Sequence, residues 1–410
     1  MKILLICEDI PARQLGGLGK HVVALGNALL AAGHEVSLMG RTEPGYAECA
    51  AEIGFNGPFI AGFENPFKGW KEGPMGLFNP WKRPHFAKRI ARAITARAAG
   101  FDVLHYHGHH PMVAAHVPAG LPFIQTRHDQ GSECITHVRF RRGEVCETTD
   151  PRACAGCAHP EPGPLRTAIS AAAVRRYRDE TAEGFARHPV VFVSDFLRRN
   201  FVRAVPDADM SKAHVVHNFV EEARLRPCRP AMPSPVRMHV AGRLDAAKGI
   251  VELARLLAPR MPAGWLLHVY GDGPGRRALQ ALSDKGIRSH GHMPMDRVLE
   301  DLALASAVVV PSLCEEACST VVLEALRAGL PCYSLARGGT PELARYGATG
   351  QLRLFHDLPA LVEGLLVSPM LPPDMPGGQS ADVASRMQEL LGLYRRLSPH
   401  AGQPQAASKS

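Results

Sequence analysis

A buried strand that leads through a short polar loop into an apolar helix constrains the fold of this chain more than any other feature. Residues Ala307 to Val310 are consecutive apolar residues, which is typical of a parallel strand buried on both faces. Pro311 ends this run, an apolar helix follows over 321–328, and Gly329-Leu330-Pro331 ends the helix. A strand–loop–helix unit of this kind predicts an α/β protein built on a parallel sheet.

Two carboxylates, Glu316 and Glu324, lie eight positions apart across the loop and helix of this unit. A glutamate among apolar residues is costly to bury unless a partner compensates it, so an ion pair or a helix cap is one interpretation. The other is a ligand site, because open α/β sheets bind ligands at the carboxyl ends of their strands. Carboxylates there suit a ligand rich in hydroxyl groups, such as a sugar or a ribose.

Composition and charge narrow the class of protein. The 410 residues are enough for two domains, and 46% hydrophobic with 21% charged residues is ordinary for a globular protein. Glu8 and Asp9 interrupt the apolar start, which therefore reads as a first strand and not as a signal peptide. No run is long enough for a transmembrane helix, and ten scattered cysteines predict a reducing, cytoplasmic compartment. The net charge of +8 favours anionic partners, yet no nucleic-acid-binding motif is present.

Glycine-rich turns follow the first strand of each half of the chain. In the first half, strand Ile3 to Cys7 leads to Gly16-Gly17-Leu18-Gly19 at the start of a helix. In the second half, strand Val236 to Ala241 leads to Gly242-Arg243 and then to Lys248-Gly249. Two cations five positions apart after a strand suit a diphosphate. Surface charges at a helix start are the less favoured alternative, because cations repel the positive end of a helix dipole.

These motifs together resemble the retaining glycosyltransferases of family 4, whose hallmarks are G-R-x4-K-G and E-x7-E. The second Glu of E-x7-E also belongs to an L-E-A-x3-G-x-P ending, which spans Leu323 to Pro331 here. The resemblance implies the α/β GT-B fold: two Rossmann-like domains facing each other across a cleft, with the C-terminal helix crossing back to the N-terminal domain. The implied divisions are an acceptor domain (1–220, with a cysteine-rich insertion at about 130–165), a nucleotide-sugar domain (221–375), the crossover helix (376–397) and a disordered tail (398–410).

The resemblance also implies roles for individual residues. Arg243 and Lys248 would bind the diphosphate, Glu316 the hydroxyls of the donor sugar, and Glu324 the ribose. His128 would act at the donor sugar, and His107 is a weaker candidate on the acceptor side. The other residues implied in donor binding are Gly16, Gly17, Gly242, Cys318, Ser319 and Thr320. Cys318-Ser319 replace the Phe-Gly pair usual in the family, which leaves the identity of the sugar open.

The implied activity is transfer of a hexose, with retention of configuration, from a UDP- or GDP-sugar to a hydroxyl of a glycan or lipid-linked acceptor, in bacterial surface polysaccharide or lipopolysaccharide synthesis. No Asp-x-Asp motif is evident at a strand end, so catalysis is expected to need no metal cofactor. Two alternatives are a sugar-nucleotide epimerase of the same architecture and a catalytically silent nucleotide-sugar-binding subunit. The altered loop at Cys318-Ser319 is the only feature that favours the silent subunit.

Residues 64–97 combine eight Lys and Arg residues with Phe and Trp side chains. A helix is expected from about Pro84, with Phe86, Ile90 and Ile94 on one face and Lys88, Arg89 and Arg92 on another. One interpretation is a helix packed on the sheet with a solvated basic side. The other is a peripheral contact with the inner face of the membrane, or with an anionic lipid-linked acceptor.

A cysteine-rich segment follows the strand that ends near His128. Its thiols are those of Cys134, Cys146, Cys154 and Cys157, with His159 close behind. Cys154-Ala155-Gly156-Cys157 has the C-x2-C spacing of structural zinc sites, and a metal would order a segment that is poor in core residues. Free thiols in a flexible insertion are the alternative.

Overall fold

The computed structural model describes residues 1–11, 15–42, 52–64, 82–158, 163–221, 236–367 and 379–398. The chain forms two compact units. Unit 1 comprises Met1–His137, Thr148–Val216 and Val383–Ser410, and unit 2 comprises Val138–Glu147 and His217–Asp382. Residues 222–235, at the start of the predicted nucleotide-sugar domain, and all of the predicted C-terminal tail except Ser398 lie outside the described residues.

The strands, in chain order, are β1 (Lys2–Cys7), β2 (Glu35–Thr42), β3 (Phe59–Glu64), β4 (Val103–His107), β5 (Phe123–Arg127), β6 (Phe140–Arg141), β7 (Glu144–Val145), β8 (Val190–Phe192), β9 (Ala213–Val215), β10 (Arg237–Ala241), β11 (Leu266–Tyr270), β12 (Ile287–Gly291), β13 (Ala307–Val310), β14 (Cys332–Leu335) and β15 (Leu352–Phe355). The short strands β6 and β7 form an antiparallel hairpin in unit 2.

The α-helices are α1 (Gly17–Ala31), α2 (Arg83–Ala96), α3 (Val113–His116), α4 (Pro151–Ala158), α5 (Pro164–Arg187), α6 (Asp195–Ala204), α7 (Ile250–Leu257), α8 (Arg276–Gln280), α9 (Met295–Leu302), α10 (Thr320–Arg327), α11 (Leu358–Val367) and α12 (Val383–Leu397). Short 3-10 helices span Gln130–Ser132, Ala246–Lys248, Ala258–Arg260, Ser283–Lys285 and Thr340–Tyr346.

Unit 1 is built on a parallel sheet in the order β3-β2-β1-β4-β5-β8-β9. All residues of β4 and β5 are buried, as are all but the first of β1. Helices cover such a sheet on both faces, which explains why these strands are nearly continuous apolar runs. The polar residues inside them, such as His105 and His107 of β4, therefore need partners within the protein.

Helix α12 packs against α1 within unit 1, and its Tyr394 is hydrogen-bonded to a residue of the sheet. The Tyr394 hydroxyl lies 2.5 Å from Nδ1 of His105, and Nε2 of His105 lies 2.8 Å from Oγ1 of Thr126. Both side chains of the first contact are fully buried. The imidazole of His105 thus joins the C-terminal helix to two central strands.

Unit 2 is built on a second parallel sheet in the order β12-β11-β10-β13-β14-β15. Its core consists of apolar residues from β10, β11, β13 and β14 and from α7 and α11, among them Val240, Leu253, Val309 and Leu361. The two parallel Rossmann-like sheets confirm the predicted α/β fold class.

Strand order reverses once in each sheet. In unit 1 the chain moves outward from β1 to β2 and β3, and then returns to place β4 on the other side of β1. In unit 2 it does the same between β10 and β13. Loops that leave such neighbouring strands in opposite directions open a crevice at their carboxyl ends, which is where ligands bind in this class of sheet.

We predict that Tyr394→Phe lowers the free energy of unfolding by about 1–3 kcal/mol, because it leaves the buried Nδ1 of His105 without its partner. Urea denaturation followed by circular dichroism measures this change. Gly392→Ala in the same helix serves as the control, since a Cβ there would meet no described atom within 4 Å. It should stabilise the protein by about 0.5–1 kcal/mol through helix propensity. Equal stabilities for Tyr394→Phe and the wild type would contradict this role of Tyr394.

Candidate functional site

The crevice between β10 and β13 in unit 2 brings together the two motifs that the sequence singled out. The loop after β13 is hydrogen-bonded to the loop after β10, since the N–H groups of Leu313 and Cys314 both donate to the Ala247 carbonyl, at 2.9 and 3.0 Å. Gly249 allows this close approach: its φ is +63°, and a Cβ would lie 2.3 Å from the Pro311 carbonyl oxygen. The glycine that ends the G-R-x4-K-G motif is therefore a requirement of packing.

Lys248 and Glu316 form the central contact of this crevice. Nζ of Lys248 lies 2.6 Å from Oε1 of Glu316, and the Ser312 hydroxyl donates to the same oxygen. The two charged side chains are 25% and 13% exposed, so solvent reaches both only in part. The residues predicted to bind a diphosphate and a sugar are thus direct neighbours.

The electrostatics of this pair favour the ionised forms of both groups. Burial disfavours the charge on Lys248, but the Glu316 carboxylate outweighs burial and raises the pKa of Lys248. Burial likewise opposes the charge on Glu316, but Lys248, the Ser312 hydroxyl and Arg243 together lower the pKa of Glu316. The crevice therefore holds one ammonium and one carboxylate at neutral pH, each available for exchange with a polar ligand.

Arg243 lies at the exposed side of the same loop. Its guanidinium is 60% exposed and contacts Asp245, with 3.2 Å between Nη2 and Oδ2. Oδ1 of Asp245 accepts the backbone N–H of Lys248 at 3.1 Å and so caps the 3-10 helix that ends at Lys248. Sequence reasoning assigned no role to Asp245 or Ser312. Aspartate directly before a short helix is a recognisable N-cap pattern, whereas nothing local marks Ser312.

Hydrogen bonds from two other segments of unit 2 fix the loop between Glu316 and α10. Asn218 donates its backbone N–H to Sγ of Cys318 at 3.3 Å and its side-chain amide to the Cys318 carbonyl at 3.0 Å. In the loop after β14, Gly339 donates its N–H to the Glu316 carbonyl at 2.8 Å. Gly338, at φ +60°, leaves room for that carbonyl, since a Cβ would lie 2.1 Å from it.

The remaining predicted donor residues of unit 2 lie along the same crevice. Buried Ser319 immediately precedes α10, exposed Thr320 begins it, and half-buried Glu324 lies four residues further along. The first N–H groups of α10 have no partners within their own helix, which suits them to oxygen ligands. Gly242 donates its N–H to the Tyr270 carbonyl at 2.9 Å and directly precedes Arg243.

In unit 1, three histidines meet at the corresponding crevice between β1 and β4. His107 ends β4, His128 follows β5, and His21 lies in the first turns of α1. Nδ1 of His107 lies 3.0 Å from Nε2 of His128, and the rings of His21 and His128 are 4.8 Å apart between centroids. Sequence reasoning named His107 and His128 for different substrates and missed His21, which is one helical turn beyond Gly16 and Gly17.

These three imidazoles lie in an environment that opposes positive charge. Burial lowers the pKa of His21 to about 4. Burial, together with repulsion from nearby rings, holds the pKa of His107 and of His128 well below the usual value. The rings therefore act as neutral donors and acceptors at pH 7.

A second polar network lies beside them. His109 bridges two carboxylates, with Nε2 at 3.0 Å from Asp9 and Nδ1 at 3.2 Å from Asp129, and Asp129 also lies 2.9 Å from Nδ1 of His137. Burial opposes the charge on His109, but the carboxylates raise its pKa well above the usual value. This network consists of ion pairs and hydrogen bonds, and sequence reasoning did not identify it.

Among the described residues, no three of the cysteines that were predicted to bind zinc lie close enough to share a metal ion. Cys154 and Cys157 lie in α4, where Cys154 accepts a contact of 3.4 Å from Nη2 of Arg178, and Cys134 lies 3.2 Å from the Thr136 hydroxyl. Cys146 lies in the segment of unit 2 that contains the β6–β7 hairpin, and His159 is outside the described residues. None of the groups of three or more potential metal ligands found among described residues includes a cysteine. Zinc binding by these thiols stays a prediction.

The predicted basic and aromatic segment is described only in part, since residues 65–81 lie outside the described ranges. Helix α2 buries Phe86, Ile90 and Ile94 and exposes Arg89 and Arg92. Arg83 is buried, unlike the other basic residues of the helix: its Nη2 donates to the Ile135 carbonyl at 2.7 Å and its guanidinium lies over the ring of Tyr177. Among the described residues, no helix is long and apolar enough to span a membrane.

We predict that Glu316→Gln lowers the free energy of unfolding by about 1–3 kcal/mol at pH 7, because it leaves the ammonium of Lys248 without its counter-ion. Because the pKa of Glu316 is lower in the folded protein than in the unfolded chain, its ionised carboxylate stabilises the folded state at pH values above the usual glutamate pKa. This stabilisation is lost as the pH falls through the pKa of Glu316 in the folded protein. The difference between variant and wild type should therefore shrink below about pH 4.5.

Urea denaturation across this pH range, with Asp284→Asn as control, tests this dependence. Asp284 is exposed in the same unit, so its neutralisation should change stability by less than about 0.5 kcal/mol. A difference for Glu316→Gln that is the same at pH 7 and in acid would contradict an ionised pair.

Comparison with known proteins agrees with this geometry. The family described as Glycosyltransferase Family 4 matches residues 15–224, more than half of the chain, and the family described as Glycosyl transferases group 1 matches residues 236–367. Glycogen synthase of Mycobacterium tuberculosis (strain CDC 1551 / Oshkosh) is 26% identical over 369 residues, which cover 85% of this chain and 81% of that protein.

Two solved structures share the fold. Sucrose-phosphate synthase from Thermosynechococcus elongatus superposes with a TM-score of 0.64 at 18% identity, covering 97% of this chain and 98% of that chain. HepE of Anabaena, solved in complex with UDP and glucose, gives a TM-score of 0.57 at 14% identity with the same coverage of both chains. With its two Rossmann-like sheets and the family matches that span them, the chain belongs to Glycosyltransferase Family 4 and has the GT-B fold.

Proposed function

We propose that this glycosyltransferase moves a hexose, with retention of configuration, from a UDP- or GDP-sugar to a hydroxyl of a glycan or lipid-linked acceptor. The Lys248–Glu316 ion pair at the crevice of unit 2 is the single observation that best supports this proposal. It places a cation suited to phosphate beside a carboxylate suited to sugar hydroxyls, 2.6 Å apart, where both are partly shielded from water.

The donor would engage this pair by exchange of partners. A phosphate oxygen of the donor replaces Glu316 as the counter-ion of Lys248, and Arg243, which is more exposed, adds a second cation to the diphosphate. Glu316 is then released to accept hydrogen bonds from the sugar. Glu324 in α10 would bind the ribose, and the backbone of Cys318 to Thr320 would meet the sugar at the start of the helix.

In the proposed reaction, the acceptor hydroxyl attacks the anomeric carbon from the face that the diphosphate leaves. The bond between the anomeric carbon and the acceptor oxygen forms as the bond between the anomeric carbon and the phosphate oxygen breaks. The electron pair of the broken bond stays on the diphosphate. The hydroxyl proton goes to the same phosphate oxygen, so no protein nucleophile is needed. Lys248 and Arg243 would stabilise the charge that develops on the diphosphate and would take the place of a catalytic metal.

The remaining roles are proposals of the same kind. His128 is assigned to the donor sugar, Gly16 and Gly17 to the donor, and His107 to the acceptor. A relative solved with UDP and glucose favours UDP over GDP as the nucleotide. We further propose an acceptor in surface polysaccharide or lipopolysaccharide synthesis, at the inner face of the membrane, with the basic residues of 64–97 near a lipid-linked acceptor.

Release of nucleoside diphosphate from a panel of UDP- and GDP-hexoses, with and without candidate glycan acceptors, tests the proposal. We expect turnover with one nucleotide series. Lys248→Ala should lower kcat by roughly 100- to 1,000-fold, as expected for the loss of one stabilising group in a shielded site.

Lys285→Ala is the matched control, because Lys285 is an exposed lysine of the same unit and should leave kcat unchanged. Donor binding without turnover, over a broad set of acceptors, would contradict the transferase and favour a silent nucleotide-sugar-binding subunit. Conversion of the donor sugar into its epimer would favour the epimerase.

A further inference from the structure

A cavity of unit 1 lies at the edge of the sheet opposite to the crevice between β1 and β4. It is enclosed by the loops that lead into β5, β8 and β9 and by the last residues of α12. Because the strands are parallel, these loops lie at the amino ends of the strands, whereas the crevice lies at their carboxyl ends. The cavity has a volume of about 610 Å³, which is within the range of small-molecule sites. None of its residues has a role in the proposed function.

Basic side chains from three separate elements line this cavity. Arg187 ends α5, Lys212 directly precedes β9, and Arg396 lies in the last turn of α12. The imidazoles of His188 and His214 lie beside them. Among the described residues that line the cavity, none is an aspartate or a glutamate. The fold therefore gathers positive charge here from distant parts of the sequence.

The charges of the three cations are compensated unequally. Arg187 forms an ion pair with Glu183, and its Nη1 donates to the Ala115 carbonyl at 2.5 Å. Nζ of Lys212 donates to the Arg187 carbonyl at 2.8 Å, but a carbonyl is not a counter-ion. Within the described part of the chain, no carboxylate lies within 4.0 Å of the cationic nitrogens of Lys212 or Arg396. These two cations are therefore the ones available to an anionic ligand.

The histidines of the cavity respond to this positive charge. Burial lowers the pKa of His214, and the charge of Arg396 lowers it further. Burial also lowers the pKa of His188, and the charges of Arg187 and Lys212 act in the same direction. The two imidazoles are therefore neutral at pH 7 and add no charge of their own. A bound anion would relieve the repulsion among the cations.

The ends of helices are one reason for cations at this place, because the carboxyl end of a helix attracts positive charge. This effect accounts for Arg187 in α5 and for Arg396 in α12, each taken alone. It does not account for Lys212, which precedes a strand, or for a cavity between the three side chains. A ligand that is shared by the cations accounts for both.

We propose that this cavity binds a small phosphorylated molecule, with its phosphate held by Lys212 and Arg396. A phosphate monoester offers three strong acceptor oxygens, of which a guanidinium binds two in a fork while an ammonium adds a compact charge. The cavity is larger than a phosphate ion, and apolar walls that include Leu121, Leu393 and Leu397 would contact the uncharged part of the ligand. Free phosphate monoesters and the headgroups of anionic lipids share this chemistry.

This inference goes beyond the proposed function and does not depend on it. The proposed diphosphate site consists of Arg243 and Lys248 in unit 2, and it shares no residue with the cavity of unit 1. Phosphate binding at the cavity and turnover of a nucleotide sugar can therefore fail independently.

Calorimetric titration of the full-length protein with glycerol 3-phosphate tests the site, with glycerol as the uncharged control ligand. The parent protein carries Lys248→Ala, which weakens the proposed diphosphate site. We expect one glycerol 3-phosphate per chain, no binding of glycerol, and an affinity that falls as the salt concentration rises. Lys212→Ala and Arg396→Ala should each raise the dissociation constant roughly 10- to 100-fold, as expected for the loss of a charge-assisted hydrogen bond.

Arg395→Ala is the matched control, because it removes the same charge from the same helical turn. Arg395 is exposed and does not line the cavity; its charge acts instead on His34, whose pKa is lowered chiefly by burial. This variant should bind glycerol 3-phosphate as the parent does, and circular dichroism establishes that each variant is folded. No binding at all, or equal weakening by Arg395→Ala and Arg396→Ala, would overturn the proposal.

Sedimentation with phosphatidylcholine vesicles, with and without phosphatidic acid, distinguishes the two sources of the phosphate. Binding that requires phosphatidic acid, and that is lost in Arg396→Ala but not in Arg395→Ala, would assign the cavity to a lipid headgroup. Binding of glycerol 3-phosphate without binding to either kind of vesicle would assign it to a free phosphate monoester.

Discussion

The reversal of strand order inside each parallel sheet determines where polar chemistry lies in this protein. Strands buried on both faces leave no place for charged side chains except at their ends. At β1/β4 and at β10/β13 the loops diverge, and there the fold admits carboxylates, cations and imidazoles. The polar clusters of the candidate functional site lie at these two positions.

Buried polar side chains are stabilised in different ways in the two crevices. In unit 2, the opposite charges of Lys248 and Glu316 are in direct contact, and the Ser312 hydroxyl donates a hydrogen bond to the Glu316 carboxylate. In unit 1, His21, His107 and His128 have pKa values lowered by burial and remain neutral. A charged pair suits the exchange of a phosphate and a sugar, whereas neutral imidazoles suit hydrogen bonds with hydroxyl groups.

Much of this architecture follows from local sequence, and the rest depends on tertiary contacts. The strand Ala307 to Val310 and the glycine turns identify the fold class, because burial and backbone conformation leave local signals. The contact of Lys248 with Glu316 spans 68 positions, and no local pattern pairs them. His21 looks like an ordinary helical residue, and its meeting with His107 depends on how α1 packs on the sheet.

The central claim is that Lys248 binds the donor diphosphate in exchange for Glu316. The most direct test is the ratio of dissociation constants for nucleoside monophosphate and nucleoside diphosphate, measured by calorimetry in the wild type and in Lys248→Ala. Our account predicts that the wild type prefers the diphosphate by at least about tenfold, equivalent to about 1.4 kcal/mol, and that Lys248→Ala loses most of this preference. An undiminished preference in the folded variant would contradict the account.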